Sequence, residues 1–488
     1  MRLLKRLYHF MDRTDGSLQK KAVRSSAWVA LSSVVIGVLT FGRGIILARL
    51  LTPEIFGLMA LCLMATRLIE IFTETGFGAA LIQRQDRFED AKDTAFTMMF
   101  LRGIGLAAIS YAISPYFANF YHEPVLQPAI AVVGLSFVLS GFTNINMVAL
   151  QKELDYKRLT YYELTSATFK FLAAAGLAYW LRSLWALVYA QIASAAITSA
   201  LSFIMVPGRV RFHLDWEIAK QLYRYGRFMT GLAIVVFITR ELDNAVVGKV
   251  LGVEILGYYV AAYTLATIPS DYISRMIAKV LFPMLAKLQN DFELLRVEYT
   301  RGIRLITSVA VPIAVATAVL APEIVQSLYG AKWSAAAPPL AILSVFGCFR
   351  ALWLINGYSY NAIGRPHIDF SMNLTRLIVM GALIVPLTMK YGAIGASLAV
   401  TLPMAAQFVA GVYLSRRLIG VPITVALRPL GVAAVQGAVL AIVLIAAKSV
   451  VSADPRVALV LLGMLSGVVC LALNLRDIRT LFAAYGAR

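Results

Sequence analysis

Apolar residues run along this chain in long uninterrupted stretches, separated by short polar and basic connections. Fourteen stretches meet or approach the ~20 residues that a helix needs to cross a bilayer. They are 25–48, 55–82, 93–114, 125–148, 159–180, 184–206, 224–247, 254–278, 303–321, 335–361, 368–389, 392–414, 424–447 and 456–474. The pattern predicts an all-α integral membrane protein of about 14 transmembrane helices. Before the first stretch, Leu3, Leu4, Leu7, Tyr8 and Met11 share one helical face opposite Arg2, Lys5, Arg6 and His9, which predicts a short interfacial helix. The apolar run that follows is too long for the core of a cleavable signal peptide. In the connection 279–302, Phe282, Leu285, Leu288, Phe292 and Leu295 alternate with Lys287, Asp291 and Arg296, and this reads as a surface helix between spans eight and nine.

The stretches also repeat. Leu51, Glu54, Ile55 and Gly57 match Leu251, Glu254, Ile255 and Gly257 at an offset of 200 residues. Ser114-Pro115 and Phe120-Tyr121 resemble Ala321-Pro322 and Leu328-Tyr329. An offset of six spans is even, so the repeats are parallel, related by an axis along the membrane normal. The expected organisation is a basic interfacial segment (1–24), an N-lobe of six spans (25–206), a cytoplasmic linker (207–223), a C-lobe of six spans (224–414), two extra spans (424–474) and a cytoplasmic tail (475–488).

Composition agrees: 15% of residues are charged and the mean hydropathy is +0.75, against about 25% charged in soluble domains. A net charge of +19 raises the question of nucleic acid. Its placement answers that question, because 30 of the 45 basic residues collect on one side of the predicted spans, against seven on the other. By the positive-inside rule both termini are cytoplasmic, and no nucleic-acid partner is expected. Trp180, Trp185 and Trp333 fall at the predicted outer interfaces, as an aromatic belt requires. Cys62, Cys348 and Cys470 lie within apolar runs and His9, His122, His213 and His367 outside them, so neither a disulfide framework nor metal spacing is present. No Walker A pattern and no large outer loop point to ATP hydrolysis or to a polymerase site. No catalytic residue and no cofactor is expected. Gly463 and Gly467 form a GxxxG that predicts close helix packing in the last span.

The informative residues are charges inside the spans, each costing about 2.5–3.5 kcal/mol at mid-bilayer on insertion scales. Lys170, Arg67 and Arg350 fall near the midplane, and Arg43 and Arg240 in the outer third. Arg102, Arg275 and Arg376 lie nearer the cytoplasmic side, where a long side chain can snorkel. Some pairs have local structural readings: Asp271 and Arg275 are spaced i, i+4, and Arg240 and Asp243 i, i+3. Arg43 has no acid within four residues along its helix. Arg67, Glu70 and Glu74 share a face, which leaves one carboxylate surplus and makes Glu70 and Glu74 candidates for carrying a coupling ion, with Asp243 and Asp271. Trp353 lies one turn from Arg350, either packed between helices or placed to stack on a sugar ring while the arginine holds phosphate. The candidate substrate-binding set is Arg43, Arg67, Lys170, Arg240, Arg350, Trp353 and Arg376.

The stretch Phe41 to Leu51 with Thr52-Pro53-Glu54-Ile55-Phe56-Gly57 resembles the opening signature of bacterial polysaccharide flippases of the Wzx type, in the multidrug, oligosaccharidyl-lipid and polysaccharide exporter superfamily. The segments Glu74 to Gln83, Leu150 to Leu159 and Asn361 to Pro366 resemble the same family. The resemblance implies two six-helix lobes around a central cavity that opens alternately to each side. It implies a polyprenyl-pyrophosphate-linked oligosaccharide as cargo, and a role in holding pyrophosphate for the arginine that matches Arg43. Asp243 departs from strict repetition, standing where the second lobe would repeat Arg43. The extra spans resemble a pair that lines a groove for the lipid tail.

The expected function is flipping of such a lipid-linked oligosaccharide to the outer leaflet of a bacterial inner membrane, for lipopolysaccharide or exopolysaccharide biosynthesis. The driving force would be a proton or sodium gradient or the membrane potential. Besides substrate and membrane lipids, polysaccharide polymerase and chain-length machinery are candidate partners. A cation-coupled multidrug antiporter of the same superfamily is one rival, expected to favour acidic and aromatic cavity residues. A membrane polymerase or glycosyltransferase is another, disfavoured by the missing outer loop and by the repeat.

Overall fold

A computed structural model of the protein describes residues 18–71, 88–152, 155–206, 208–450 and 454–486. The expected interfacial helix over Leu3 to Met11 lies outside the described residues. The described residues are helical apart from short connections, as apolar segments without water to satisfy their backbone must be. The first unit, Met1–Glu241, begins with α1 (Leu18–Leu50), α2 (Pro53–Ile71), α3 (Phe88–Tyr121), α4 (Leu126–Gly141), the short α5 (Met147–Lys152), α6 (Tyr156–Leu181) and α7 (Leu184–Met205). The long α8 (Trp216–Leu251) carries the boundary between the units. The second unit, Leu242–Arg488, continues with α9 (Val253–Lys287), α10 (Phe292–Val319), α11 (Ala321–Leu328), a 3-10 turn (Ala331–Ala336), α12 (Ala337–Ala362), α13 (Pro366–Leu418), α14 (Ile423–Val450) and α15 (Pro455–Gly486).

The predicted spans fall on helices over the described residues, except that span four (125–148) ends early, α4 stopping at Gly141 before turns at 142–146 and the short α5, and spans eleven and twelve are joined in α13. Gly392 breaks α13 with φ 61° and ψ −141°, a left-handed conformation that suits glycine, and this divides the 53-residue helix where the sequence divides the spans. Among the described residues, seven helices are long and apolar enough to cross a membrane by length and composition. Helices α2, α6 and α9 are less apolar because they hold ionisable residues, including Arg67, Glu70, Lys170 and Asp271.

The offset of 200 is visible in three dimensions. α1 gives way to α2 at Leu51-Thr52, and α8 to α9 at Gly252. Pro53 and Val253 are buried, Glu54 and Glu254 exposed, and Gly57 and Gly257 buried. The second repeat parts from the first further on: α3 runs through Pro115 to Tyr121, whereas its counterpart is broken into α10 and α11 at Leu320.

Within the first unit α3 packs along α4, α1 along α6, and α6 along α7. A Cβ on Gly103 would stand 2.5 Å from the Phe137 carbonyl oxygen, so the α3–α4 crossing is close enough to demand glycine. At Gly463 and Gly467 a Cβ would meet nothing within 4 Å. Among the described residues, no neighbouring helix packs against the GxxxG of α15. The connection 208–215 is extended and pinned to the start of α3, where Asp93, Thr94 and Thr97 side chains accept hydrogen bonds from the Arg211, Asp215 and His213 amides.

In the second unit α9 packs along α12, and α12 along α10 and α13. No separate surface helix links spans eight and nine. α9 continues to Lys287 and α10 begins at Phe292, because Leu281, Leu285, Leu295 and Tyr299 are buried in one core with Ile303, Ile355 and Phe408. Trp333 is another departure from expectation. It is fully buried, against Tyr258 and Tyr329, whereas Trp180 is 81% exposed as a belt residue should be. The 3-10 turn folds Trp333 inward beneath Gly330.

Candidate functional site

Arg43 and Lys170, 127 residues apart in sequence, line one cavity of about 470 Å³ in the first unit. That volume falls in the roughly 300–1,000 Å³ range of small-molecule sites. Three helical stripes form its walls. α1 supplies Ile36, Leu39, Thr40 and Arg43; α6 supplies Tyr162, Glu163, Ser166 and Lys170; α7 supplies Gln191, Ser194 and Thr198. Steps of three and four residues are what a single helix face presents. Both cations are half-buried, and Lys170 stands close enough to Arg43 for their charges to repel.

Glu163 lies two turns before Lys170 on the same face, and its carboxylate accepts a hydrogen bond from Ser32. Two cations against one carboxylate leave the lining with a charge of +1. The Tyr162 hydroxyl donates to the Thr198 carbonyl at 2.9 Å, and the Thr198 hydroxyl to the Ser194 carbonyl at 2.7 Å. The Ser166 hydroxyl is buried and meets no hydrogen-bond partner among the described residues. A cationic floor with amide and hydroxyl groups on its walls can take up an anion together with a polyhydroxylated neighbour.

The other candidates are distributed differently. Arg67 pairs with Glu241 at 2.5 Å rather than with Glu70; it is 57% exposed, so solvent screens the pair. Glu70 is exposed, and its backbone carbonyl accepts from Arg102 at 3.3 Å. Glu74 lies outside the described residues. Arg240 is exposed on α8, and among the described residues no ion pair to it is present.

In the second unit Asp243 is buried and accepts a hydrogen bond from the Tyr259 hydroxyl at 2.8 Å. Arg376 on α13 reaches into the same neighbourhood, within the electrostatic range of Asp243, Tyr263 and Arg350. Its Nη1 approaches the Met404 sulfur at 3.3 Å, and its Nε is buried with no hydrogen-bond partner among the described residues. Asp271 accepts from Arg350 across the α9–α12 seam; the Arg275 side chain, its expected i, i+4 partner, lies outside the described residues.

Trp353 is 8% exposed and packs against Tyr360 with ring centroids 6.3 Å apart. Its indole N–H hydrogen-bonds Asp369. The structure thus realises the packing alternative for Trp353.

Glu163, Ser166, Gln191, Tyr259 and Tyr263 escape the sequence reading. For Glu163 a signal existed, an acid seven residues before a mid-span lysine on one face. For the two tyrosines none did, because an interior tyrosine ordinarily packs.

Residues 46–338 match the family described as "Polysaccharide biosynthesis protein". The chain is 26% identical over 388 residues to "Lipopolysaccharide biosynthesis protein WzxC" of Escherichia coli strain K12, covering 78% of each. It is 25% identical over 369 residues to "Teichuronic acid biosynthesis protein TuaB" of Bacillus subtilis strain 168, covering 75% of this chain and 76% of that one. Its fold is similar to that of the lipid II flippase MurJ in an inward closed conformation, with a TM-score of 0.74 at 15% identity over 93% of this chain and 99% of that one. The family match spans more than half of a chain whose first helices already resemble polysaccharide flippases: this protein belongs to the polysaccharide biosynthesis protein family.

Proposed function

We propose that this protein is a flippase that carries a polyprenyl-pyrophosphate-linked oligosaccharide from the inner to the outer leaflet of a bacterial inner membrane by alternating access, serving polysaccharide biosynthesis and export. The observation that carries the reading is the cavity bearing Arg43 and Lys170. A sugar–pyrophosphate headgroup cannot cross ~30 Å of hydrocarbon without its hydration being replaced. Guanidinium and ammonium groups offer charge to the phosphate, and Gln191, Ser166 and Ser194 offer hydrogen bonds to the adjoining sugar, while the polyprenyl tail remains in lipid. The relatives in lipopolysaccharide and teichuronic acid biosynthesis, and the likeness of fold to a lipid II flippase, support it.

In this reading the chain moves its cargo without chemical change, both termini face the cytoplasm, and the lobes are 25–206 and 224–414, joined by the linker 207–223. Asp243 is the preferred coupling residue over Asp271, which is occupied by Arg350. A proton or sodium ion at the Tyr259-bound carboxylate would change the charge facing Arg376. Cells lacking the protein should accumulate the lipid-linked oligosaccharide on the cytoplasmic face. A normal outer-leaflet pool in such cells would refute the proposal.

A further inference from the structure

A second basic pocket belongs to the second unit, at the start of α10. Arg296, Arg301 and Arg304 line a cavity of about 410 Å³, and its remaining walls are Thr300 and the apolar residues Val297, Val421, Pro422 and Val425. The arginines stand on successive turns of one helix. The apolar wall comes from the Ile419–Ile423 connection and the first turn of α14.

Two of the guanidinium groups are held in place. Arg296 Nε donates to the Ile419 carbonyl at 2.6 Å, and Arg301 Nη1 donates to the buried Glu298 carboxylate at 2.7 Å. Glu298 neutralises one charge of the three. Arg304 is exposed, and no acidic partner to it is present among the described residues. Both helices begin their apolar stretches here, 303–321 and 424–447 by sequence, so the pocket sits at the boundary between water and hydrocarbon.

A solvated charge run needs no apolar wall, and a free phosphate gains nothing from one. An amphiphile with an anionic head uses both. Val297 and Val425 are exposed beside the arginines, where acyl chains would lie. We infer that this pocket binds the phosphate of an anionic membrane phospholipid, with Arg301 and Arg304 on the headgroup and Val297, Val421 and Val425 against its chains. Basic pockets between spanning helices are suited to such headgroups. The inference is independent of the transported cargo, because it uses none of the residues of the Arg43 cavity.

The test is native mass spectrometry of the purified full chain with added dioleoylphosphatidylglycerol or dioleoylphosphatidylcholine. The wild type should retain the anionic lipid preferentially. Arg301→Gln combined with Arg304→Gln should weaken that retention roughly thirtyfold, from about fivefold per arginine near a charged headgroup. Arg182→Gln combined with Lys390→Gln removes the same charge elsewhere and should leave it unchanged. Thr300→Glu, which keeps the arginines and puts a carboxylate in the pocket, should also abolish the preference and serves if the double variant does not fold. Equal retention of the two lipids by wild type, or an unchanged preference in the pocket variants, would overturn the inference. Displacement of the anionic lipid by millimolar inorganic phosphate would overturn it too, because the site would then be one for free anions.

Discussion

Replacing Arg43 by alanine should abolish export while leaving the protein in the membrane. Arg43 has no acidic neighbour within four residues, and in the structure its close charged neighbour is Lys170, another cation. Its removal relieves a repulsion and breaks no salt bridge among the described residues, so folding should not suffer. Substrate binding should. A charge-assisted hydrogen bond contributes roughly 1.5–3 kcal/mol, so losing one weakens affinity by about one to two decades. Arg43→Lys should keep part of the activity, because an ammonium keeps the charge but not the two parallel donors. Lys170→Ala should weaken binding as well. The double variant should lose less than the sum, since both residues face one ligand. The assay is retention of a labelled lipid-linked oligosaccharide by purified protein, read beside polysaccharide export and membrane expression levels. Arg102→Ala serves as the comparison and should be milder. Normal export by well-expressed Arg43→Ala would remove the phosphate-binding role and leave Arg43 a structural charge.

Trp353→Ala should destabilise the protein by about 3–5 kcal/mol, as large-to-small core changes do, seen as a lower melting temperature in detergent; an unchanged melting temperature would contradict its place between Tyr360 and Asp369. Gly103→Ala should impair folding, because the added Cβ meets a backbone oxygen, and Gly463→Ala should be silent; size-exclusion profiles in detergent compare them, and equal behaviour would refute the packing contrast. Asp243→Asn should reduce gradient-driven transport more than substrate binding, and Asp271→Asn less so; proteoliposomes with imposed proton or sodium gradients decide, and equal gradient responses of wild type and Asp243→Asn would remove Asp243 from coupling. Cysteines placed at His122 and Lys287 in a chain freed of Cys62, Cys348 and Cys470 should label from opposite sides of the membrane; labelling from one side would reject the fourteen-span topology.

The helices and their repeat were legible because hydrophobic runs of membrane length have one physical solution. The junctions at Leu51 and Leu251 show how far this reaches, down to matching burial at Gly57 and Gly257. Local spacing was a poor guide to partners. Arg67 reaches Glu241 and Asp271 reaches Arg350, both across helices, because a mid-span charge gains more from a facing helix than from a neighbour one turn away on the same surface. Among the described residues the GxxxG of α15 meets no partner and Trp333 is buried, because a motif or residue on one helix says nothing of what stands opposite. The joining of Arg43 with Lys170 required the α1–α6 packing, which no periodicity in either helix encodes.

The central claim is most directly tested in liposomes containing the purified protein and a defined polyprenyl-pyrophosphate oligosaccharide in both leaflets. A membrane-impermeant glycosidase outside would report how much substrate becomes accessible with time. Wild type should expose the inner-leaflet pool beyond the outer half, and Arg43→Ala proteoliposomes, carrying the same amount of protein, should stop near that half. Protection of the inner pool by wild type under every imposed gradient, or equal exposure by wild type and Arg43→Ala, would contradict that claim.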